Sequence, residues 1–361
     1  MSYNNSNKDL KQFSCTFTPK VAKILLELNC SIAISTYQAG KVVLISANSD
    51  NNLIQLARNF DKAMGIAEDE ENDKIAIACR DEIIILKNSQ DLAKFYPKSP
   101  NKYDSLYLPR ITFHTGSLDI HDISFGSNNI LYAVNTLFSC IVKINENYNF
   151  EPYWTPPQID KITSEDRCHL NGMAMLNGRP KYATAFNDGN TAKSWRENIT
   201  KGGVIYDIES NKIVAKDLPM PHSPRIFNNE LYVLLSATGE LAKINTIDGS
   251  YEIIIKIDGF VRGMSLHKDY LFIGLSKLRK KSTTFSKLPF AKNANESGVI
   301  VMHLPSAKIE GKILYQNSLE EIYDIHILKN KIRPNILNTS SDVHKQGLTI
   351  PNTTFWKKNI K

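Results

Sequence analysis

The stretch HDISFGSNNILYAVNTLFSCIVKINEN, residues 121–147, decides the fold. Its short apolar runs, ILYAV and IVKI, are separated by Gly, Ser and Asn clusters that suit tight turns, and Val, Ile, Leu and Tyr supply strand propensity. Long helical periodicity is absent. The same pattern opens at Met64 with MGIAEDEENDKIAIACRDEIIILKN and at Asn171 with NGMAMLNGRPKYATAF. It opens again at Ser223 with SPRIFNNELYVLLSATGELAKINTIDG, at Arg262 with RGMSLHKDYLFIGLS and at Tyr323 with YDIHILKNKIRPNIL.

A small sheet cannot bury both faces until it stacks on its neighbours. Six repeats at intervals of roughly 40 to 60 residues therefore predict radially stacked four-stranded sheets, an all-β, six-bladed β-propeller. The repeat at Tyr323 holds only the inner strands of its blade. Residues 31–35, 41–46 and 53–59 read as strands that no repeat claims, and they are expected to complete that blade and close the ring. Seven blades is the alternative, because the intervals at 87–118 and 275–320 have room for further strands. The expected organisation is a flexible segment over 1–20, one propeller domain over 21–339 and a tail over 340–361 packed on the outside. Pro-rich connections at 96–118 and 151–167 suit rims or lids, and NTAKSWRENITKGG, 190–203, suits a short rim helix.

Of 361 residues, 42% are hydrophobic and 22% charged, which excludes a disordered chain, a collagen-like rod and a coiled coil. The net charge of +7 is dispersed except at KLRKK, 277–281, which reads as a solvated loop, so no nucleic-acid partner is expected. No apolar run is long enough to span a bilayer, and the first fifteen residues lack an apolar signal core. The expectation is a cytoplasmic protein without a membrane partner. Five cysteines, Cys15, Cys30, Cys79, Cys140 and Cys168, form no CxxC pair and read as buried thiols. Nucleophile-elbow, phosphate-loop, dinucleotide and HExxH motifs are all missing.

The first strand of each blade lines the channel of a propeller, so residues at the blade starts converge on the axis. Three imidazoles, His121, His169 and His222, come from three neighbouring blades. They match in type and number the ligands of a catalytic zinc, iron or copper site with a position left for water or substrate, so the expected cofactor is one divalent transition metal, zinc first. Asp122 and Glu321 are candidates for orienting those ligands or moving a proton, and Arg262 for neutralising a carboxylate. Asn171 and Asp324 share the phase of the repeat, Asn135 and Thr136 follow the strand ILYAV, and Trp154, Trp195 and Arg196 stand in loops able to cover a ligand. Taken singly, each histidine reads as a structural link between blades. The shared phase points to a site. Without metal, the same cluster makes a pocket for a polar small molecule. His114, His267, His303, His326 and His344 fall off that phase and read as structural.

The ordered motifs STYQAGK (35–41), NFDKAMG (59–65), LPR (108–110), DIHD (119–122), NTLFSC (135–140), DRCHLNG (166–172), WRE (195–197), MPHSPR (220–225), GFVRG (259–263) and EEIYD (320–324) resemble the DUF4915 domain family. The resemblance implies a propeller of the gluconolactonase/NHL general type, with signature histidines at His121, His169 and His222 and arginines at Arg110, Arg225 and Arg262. It implies no activity. The chain departs at Lys62-Ala63, where the family carries Arg-Pro before Met-Gly. By fold-level analogy, the arrangement is also similar to the six-bladed peptidyl-hydroxyglycine amidating lyase, which holds zinc with histidines at its axis. Two functions stay open at this point. One is a metal-dependent lyase or hydrolase acting on a small polar or anionic substrate, with Arg262 or Arg225 holding its anionic group. The other is a non-catalytic module that binds a small polar ligand or a peptide.

Overall fold

Each repeat folds into an antiparallel meander whose first strand lies innermost. The structure, a computed structural model, describes residues 11–278, 288 and 294–357. Blade 1 is built from Ile66–Asp69, Lys74–Ala78, Glu82–Asn88 and Ser105–His114, and blade 2 from Ile120–Phe125, Leu131–Asn135, Cys140–Ile144 and Glu151–Trp154. Blade 3 comprises Leu170–Leu176, Arg179–Ala185, Gly203–Asp207 and Lys212–Leu218, and blade 4 comprises Pro221–Phe227, Glu230–Leu235, Glu240–Ile244 and Tyr251–Lys256. Blade 5 holds Phe260–His267, Tyr270–Ser276, Gly298–His303 and Lys308–Tyr315. The ring closes in blade 6, where Asp324–Lys329 is the inner strand and Cys30–Thr36, Lys41–Ser49 and Asn52–Asn59 follow outward.

The protein is thus a six-bladed β-propeller. The interval 87–118 holds a short helix at Gln90–Lys94 and the outer strand of blade 1, while the interval 275–320 holds the outer strands of blade 5, so among the described residues no seventh blade is left. The C-terminal repeat differs from expectation in giving blade 6 one strand. Its continuation, Pro334–Ile336, pairs in parallel with Ser105–His114 of blade 1. Within the segment expected to be flexible, Cys15–Phe17 adds a fifth strand to the outer edge of blade 5. Pro19–Glu27 then forms a helix with Pro at its start and buries Val21, Ala22, Ile24 and Leu25 against blades 5 and 6. Residues 1–10, and the Arg279–Lys281 part of KLRKK, lie outside the described residues. The tail is a hairpin, Gly347–Ile350 with Thr353–Trp356, held by the Trp356 indole donating to the Leu92 carbonyl at 3.0 Å. Among the described residues no helix is long and apolar enough to cross a membrane.

Six of the hydrophobic clusters sit one to a blade interface. Period-2 alternation explains how. In blade 2, Leu131 and Ala133 face blade 1, while Tyr132 and Val134 face blade 3. Both faces of a middle strand are buried, so its sequence reads as a continuous apolar run. Buried hydroxyls lock the junctions. Thr136 donates to the Leu170 carbonyl at 2.6 Å, Ser236 to Val261 at 2.6 Å and Ser276 to Ile322 at 3.0 Å, while Ser35 donates to the Met64 carbonyl. Each hydroxyl stands at the end of a blade's second strand and donates to a backbone carbonyl at the start of the next blade, so the polar contact ties neighbouring blades together.

Inner strands approach most closely where they lack a side chain. A Cβ on Gly172 would stand 2.4 Å from Pro224 Cδ, and one on Gly263 would stand 2.8 Å from Asp324 Cα. Gly172→Ala therefore forces blades 3 and 4 apart and is expected to cost about 1–3 kcal/mol. A clear drop in melting temperature checks this. An unchanged melting temperature would show that the contact is not tight.

Candidate functional site

The inner strands do not alternate regularly at their heads. Val134 pairs with Asp122 but the next residue, Asn135, pairs with Ile120, so His121 is an extra residue in its strand. Blade 3 gains an extra residue at Asn171, blade 4 one between His222 and Arg225, and blade 5 one between Val261 and Met264. Such bulges re-aim side chains, and left-handed backbone accompanies them at His169 (φ 50°), Ser223 (φ 50°) and Gly263 (φ 75°). Consecutive residues can then both face the axis. His121 joins a group at the blade-start end, and Asp122 joins a second group inside the channel.

The first group contains all three imidazoles. The rings of His121 and His169 lie 4.9 Å apart edge to face, and the Phe186 ring packs against both His169 (4.5 Å) and His222 (4.9 Å). His121 Nδ1 lies 2.9 Å from the Asp119 carbonyl, which can only accept, so this nitrogen carries the proton. His169 Nδ1 lies 3.1 Å from both Asp166 carboxylate oxygens and donates there. His222 Nδ1 lies 2.7 Å from the Ser236 hydroxyl, whose own hydrogen goes to Val261, so the ring again donates. All three imidazoles are therefore anchored through Nδ1–H, which leaves Nε2 outside the anchoring bond. Burial, then the neighbouring His169 and Arg262, hold His121 well below the ordinary imidazole value. For His222 the causes are burial, then Arg262 and the other two imidazoles. Both rings stay uncharged near neutrality, as ligands or acceptors must.

Arg262 and Glu321 stand beside these rings. The Arg262 guanidinium carbon lies 3.4 Å from the Tyr323 ring centroid, Nη1 lies 4.0 Å from Glu321 Oε1, and the two side chains are 11% and 16% exposed. The Tyr323 ring meets His121 at 5.4 Å. Trp195 stacks on His169 at 4.3 Å and donates its indole N–H to Asp166 at 3.0 Å, so one carboxylate fixes both rings. The expected rim helix is a short 3-10 turn, Ser194–Glu197, that delivers this tryptophan, while Arg196 is exposed and lies over the Trp195 ring.

The second group crosses the channel. Arg225 Nη1 bonds Asp122 at 2.8 Å and its Nη2 lies 3.9 Å from Asp324, joining blades 2, 4 and 6. Asp122 also accepts the Met173 backbone N–H at 3.1 Å, and Asp324 accepts that of Ile66 at 2.9 Å. Burial raises the Asp324 pKa, opposed by Arg225 and reinforced by Asp122. Asp122 and Arg225 line a channel of about 270 Å³ that also reaches Met173, Phe227 and His326, whose Nε2 lies 3.0 Å from Glu68.

Other residues singled out in the sequence lie elsewhere. Arg110 is on the outer strand of blade 1 and bonds Thr349 of the tail at 2.9 Å. Trp154 is on the outer strand of blade 2 and bonds Asn211 at 2.7 Å. Asn135 accepts from the Phe138 N–H of its own turn, and Asn171 accepts from Thr184, each leaving a buried amide nitrogen without a partner. Sequence reasoning overlooked Asp166, Tyr323 and Phe186. The spacing Asp166-x-x-His169 and the Tyr next to Asp324 in EEIYD were the available signals.

A propeller with three anchored imidazoles and an arginine at its axis is the class that fold and geometry define. The chain belongs to the family described as Domain of unknown function (DUF4915), matched over residues 19–337. No curated protein matches the chain. Among solved structures, it is similar to a chain of "Crystal structure of Nidogen/Laminin Complex" (TM-score 0.54, 12% identity, covering 83% of this chain and 99% of that one). It is also similar to "a protein of unknown function from Bacteroides caccae" (TM-score 0.52, 8% identity, 83% and 98% covered). Both likenesses concern the fold alone. The anchoring at Asp166 makes a direct prediction. Asp166→Asn cannot accept from both His169 and Trp195 with equal geometry, so it should lower unfolding free energy by about 1–3 kcal/mol and shift tryptophan emission. Unchanged denaturation and emission would contradict the shared anchor.

Proposed function

We propose that the axial site takes a small polar or anionic molecule and, with a divalent transition metal held by His121, His169 and His222, acts as a lyase or hydrolase. The observation that carries this reading is the set of three imidazoles, from three successive blades, each anchored through Nδ1 with Nε2 left to bind. A bound zinc, iron or copper would supply Lewis acidity at a substrate oxygen. The donor chemistry fits such an ion. Among the described residues no group of three His, Cys, Asp or Glu stands at metal-holding geometry, so occupancy would require the rings to draw together.

The chain's own residues take distinct parts in this proposal. Arg262 receives the anionic end of the substrate. Glu321, beside it, is placed to move a proton, whereas Asp122 is committed to Arg225 and to the Met173 N–H and serves the ring. Trp195, Phe186 and Phe260 form a buried aromatic wall that keeps water from the imidazoles. The uncharged rings of His121 and His222 and the Arg262 guanidinium also support a second reading, a non-catalytic module binding a small polar ligand or peptide.

Elemental analysis of the full chain, purified without chelator, separates the two. The enzyme reading expects about one equivalent of transition metal per chain, lost in His169→Ala. Background metal in both proteins would remove the metal-dependent reading and leave the binding module.

A further inference from the structure

Among the described residues, two hydrogen-bond donors at the axis have no hydrogen-bond acceptor. Among the described residues Arg262 makes no hydrogen bond, although its side chain is only 11% exposed; its contacts are the Tyr323 ring and the more distant Glu321. Tyr323 is 5% exposed, and its hydroxyl is buried without a partner. A phenol carries its proton at neutral pH and so offers a donor. A buried hydroxyl is normally satisfied, and a largely covered guanidinium normally makes hydrogen bonds of its own. The two residues are in direct contact, from neighbouring blades, next to His121.

We infer that the acceptor missing from Arg262 and Tyr323 is a carboxylate, and that the axial site takes small monocarboxylates; this rests on reading the axis as a small-molecule site. A guanidinium presents a planar fork that matches two carboxylate oxygens, and the phenol adds a donor of its own. A phosphate dianion brings a third oxygen and a second negative charge near the Glu321 carboxylate, where it is repelled. A neutral amide offers the fork one oxygen and no charge.

The test is NMR titration of the full chain with acetate, propionate and pyruvate, with acetamide and inorganic phosphate as controls. The expected result is saturable binding of at least one carboxylate, about tenfold tighter than phosphate and without a counterpart for acetamide. Arg262→Lys, which keeps the charge but loses the fork, should weaken it about tenfold, and Tyr323→Phe several-fold. Should Arg262→Lys fail to fold, Tyr323→Phe decides, because it removes one oxygen. No saturable carboxylate binding, equal binding of phosphate or acetamide, or full affinity in Tyr323→Phe would overturn the inference. Repeating the titration on chelator-treated protein separates this from the metal reading. Carboxylate binding that persists without metal supports the inference, whereas metal-loaded protein that binds no carboxylate overturns it and leaves the metal reading standing.

Discussion

One extra residue at the head of an inner strand governs the chemistry at the axis. A regular strand sends successive side chains to opposite faces, so His121 and Asp122 would be separated by the sheet itself. With His121 bulged out of register, the imidazole meets His169 while the neighbouring carboxylate meets Arg225. Related bulges in blades 3, 4 and 5 bring in His169, His222 and Arg262. The propeller supplies convergence, and the bulges supply direction.

Two layers of opposite character result. The imidazole layer holds His121 and His222 as uncharged rings, a buried tyrosine hydroxyl and a guanidinium that makes no hydrogen bond among the described residues. The channel layer holds two carboxylates around one guanidinium, each carboxylate also accepting a backbone N–H from the following blade. Buried charges persist only where partners compensate their lost hydration, and in the channel layer the partners belong to the ring itself. In the imidazole layer, the compensation is incomplete. This asymmetry distinguishes a layer whose charges the ring itself compensates from one whose donors, among the described residues, are left open.

Much of the fold was legible in the sequence. Alternating apolar runs and Asn/Gly turns marked six blades, and unclaimed strands near the N-terminus marked the closure that pairs Cys30–Thr36 with Asp324–Lys329. Pro19–Glu27 was missed because nine residues offer little helical periodicity, and Pro334–Ile336 because a parallel edge pairing leaves no turn signal between partners. At the site, phase in the repeat gathered His121, His169, His222 and Arg262. It could not separate Asp122 and Asp324 from them, because a one-residue bulge is invisible in a pattern that assumes strict alternation, and Arg225, which joins those two carboxylates, entered through a family resemblance. Arg110 entered through a family resemblance, and its place on an outer strand follows from blade order.

The most direct test concerns the imidazoles themselves. Long-range nitrogen–proton NMR correlation on metal-free protein at neutral pH reports which ring nitrogen carries the proton. The structure requires Nδ1–H for His121, His169 and His222 alike, with a bare Nε2 at His121 and His222. A bare Nδ1 in any of the three, or charged imidazolium at His121 or His222, would contradict it.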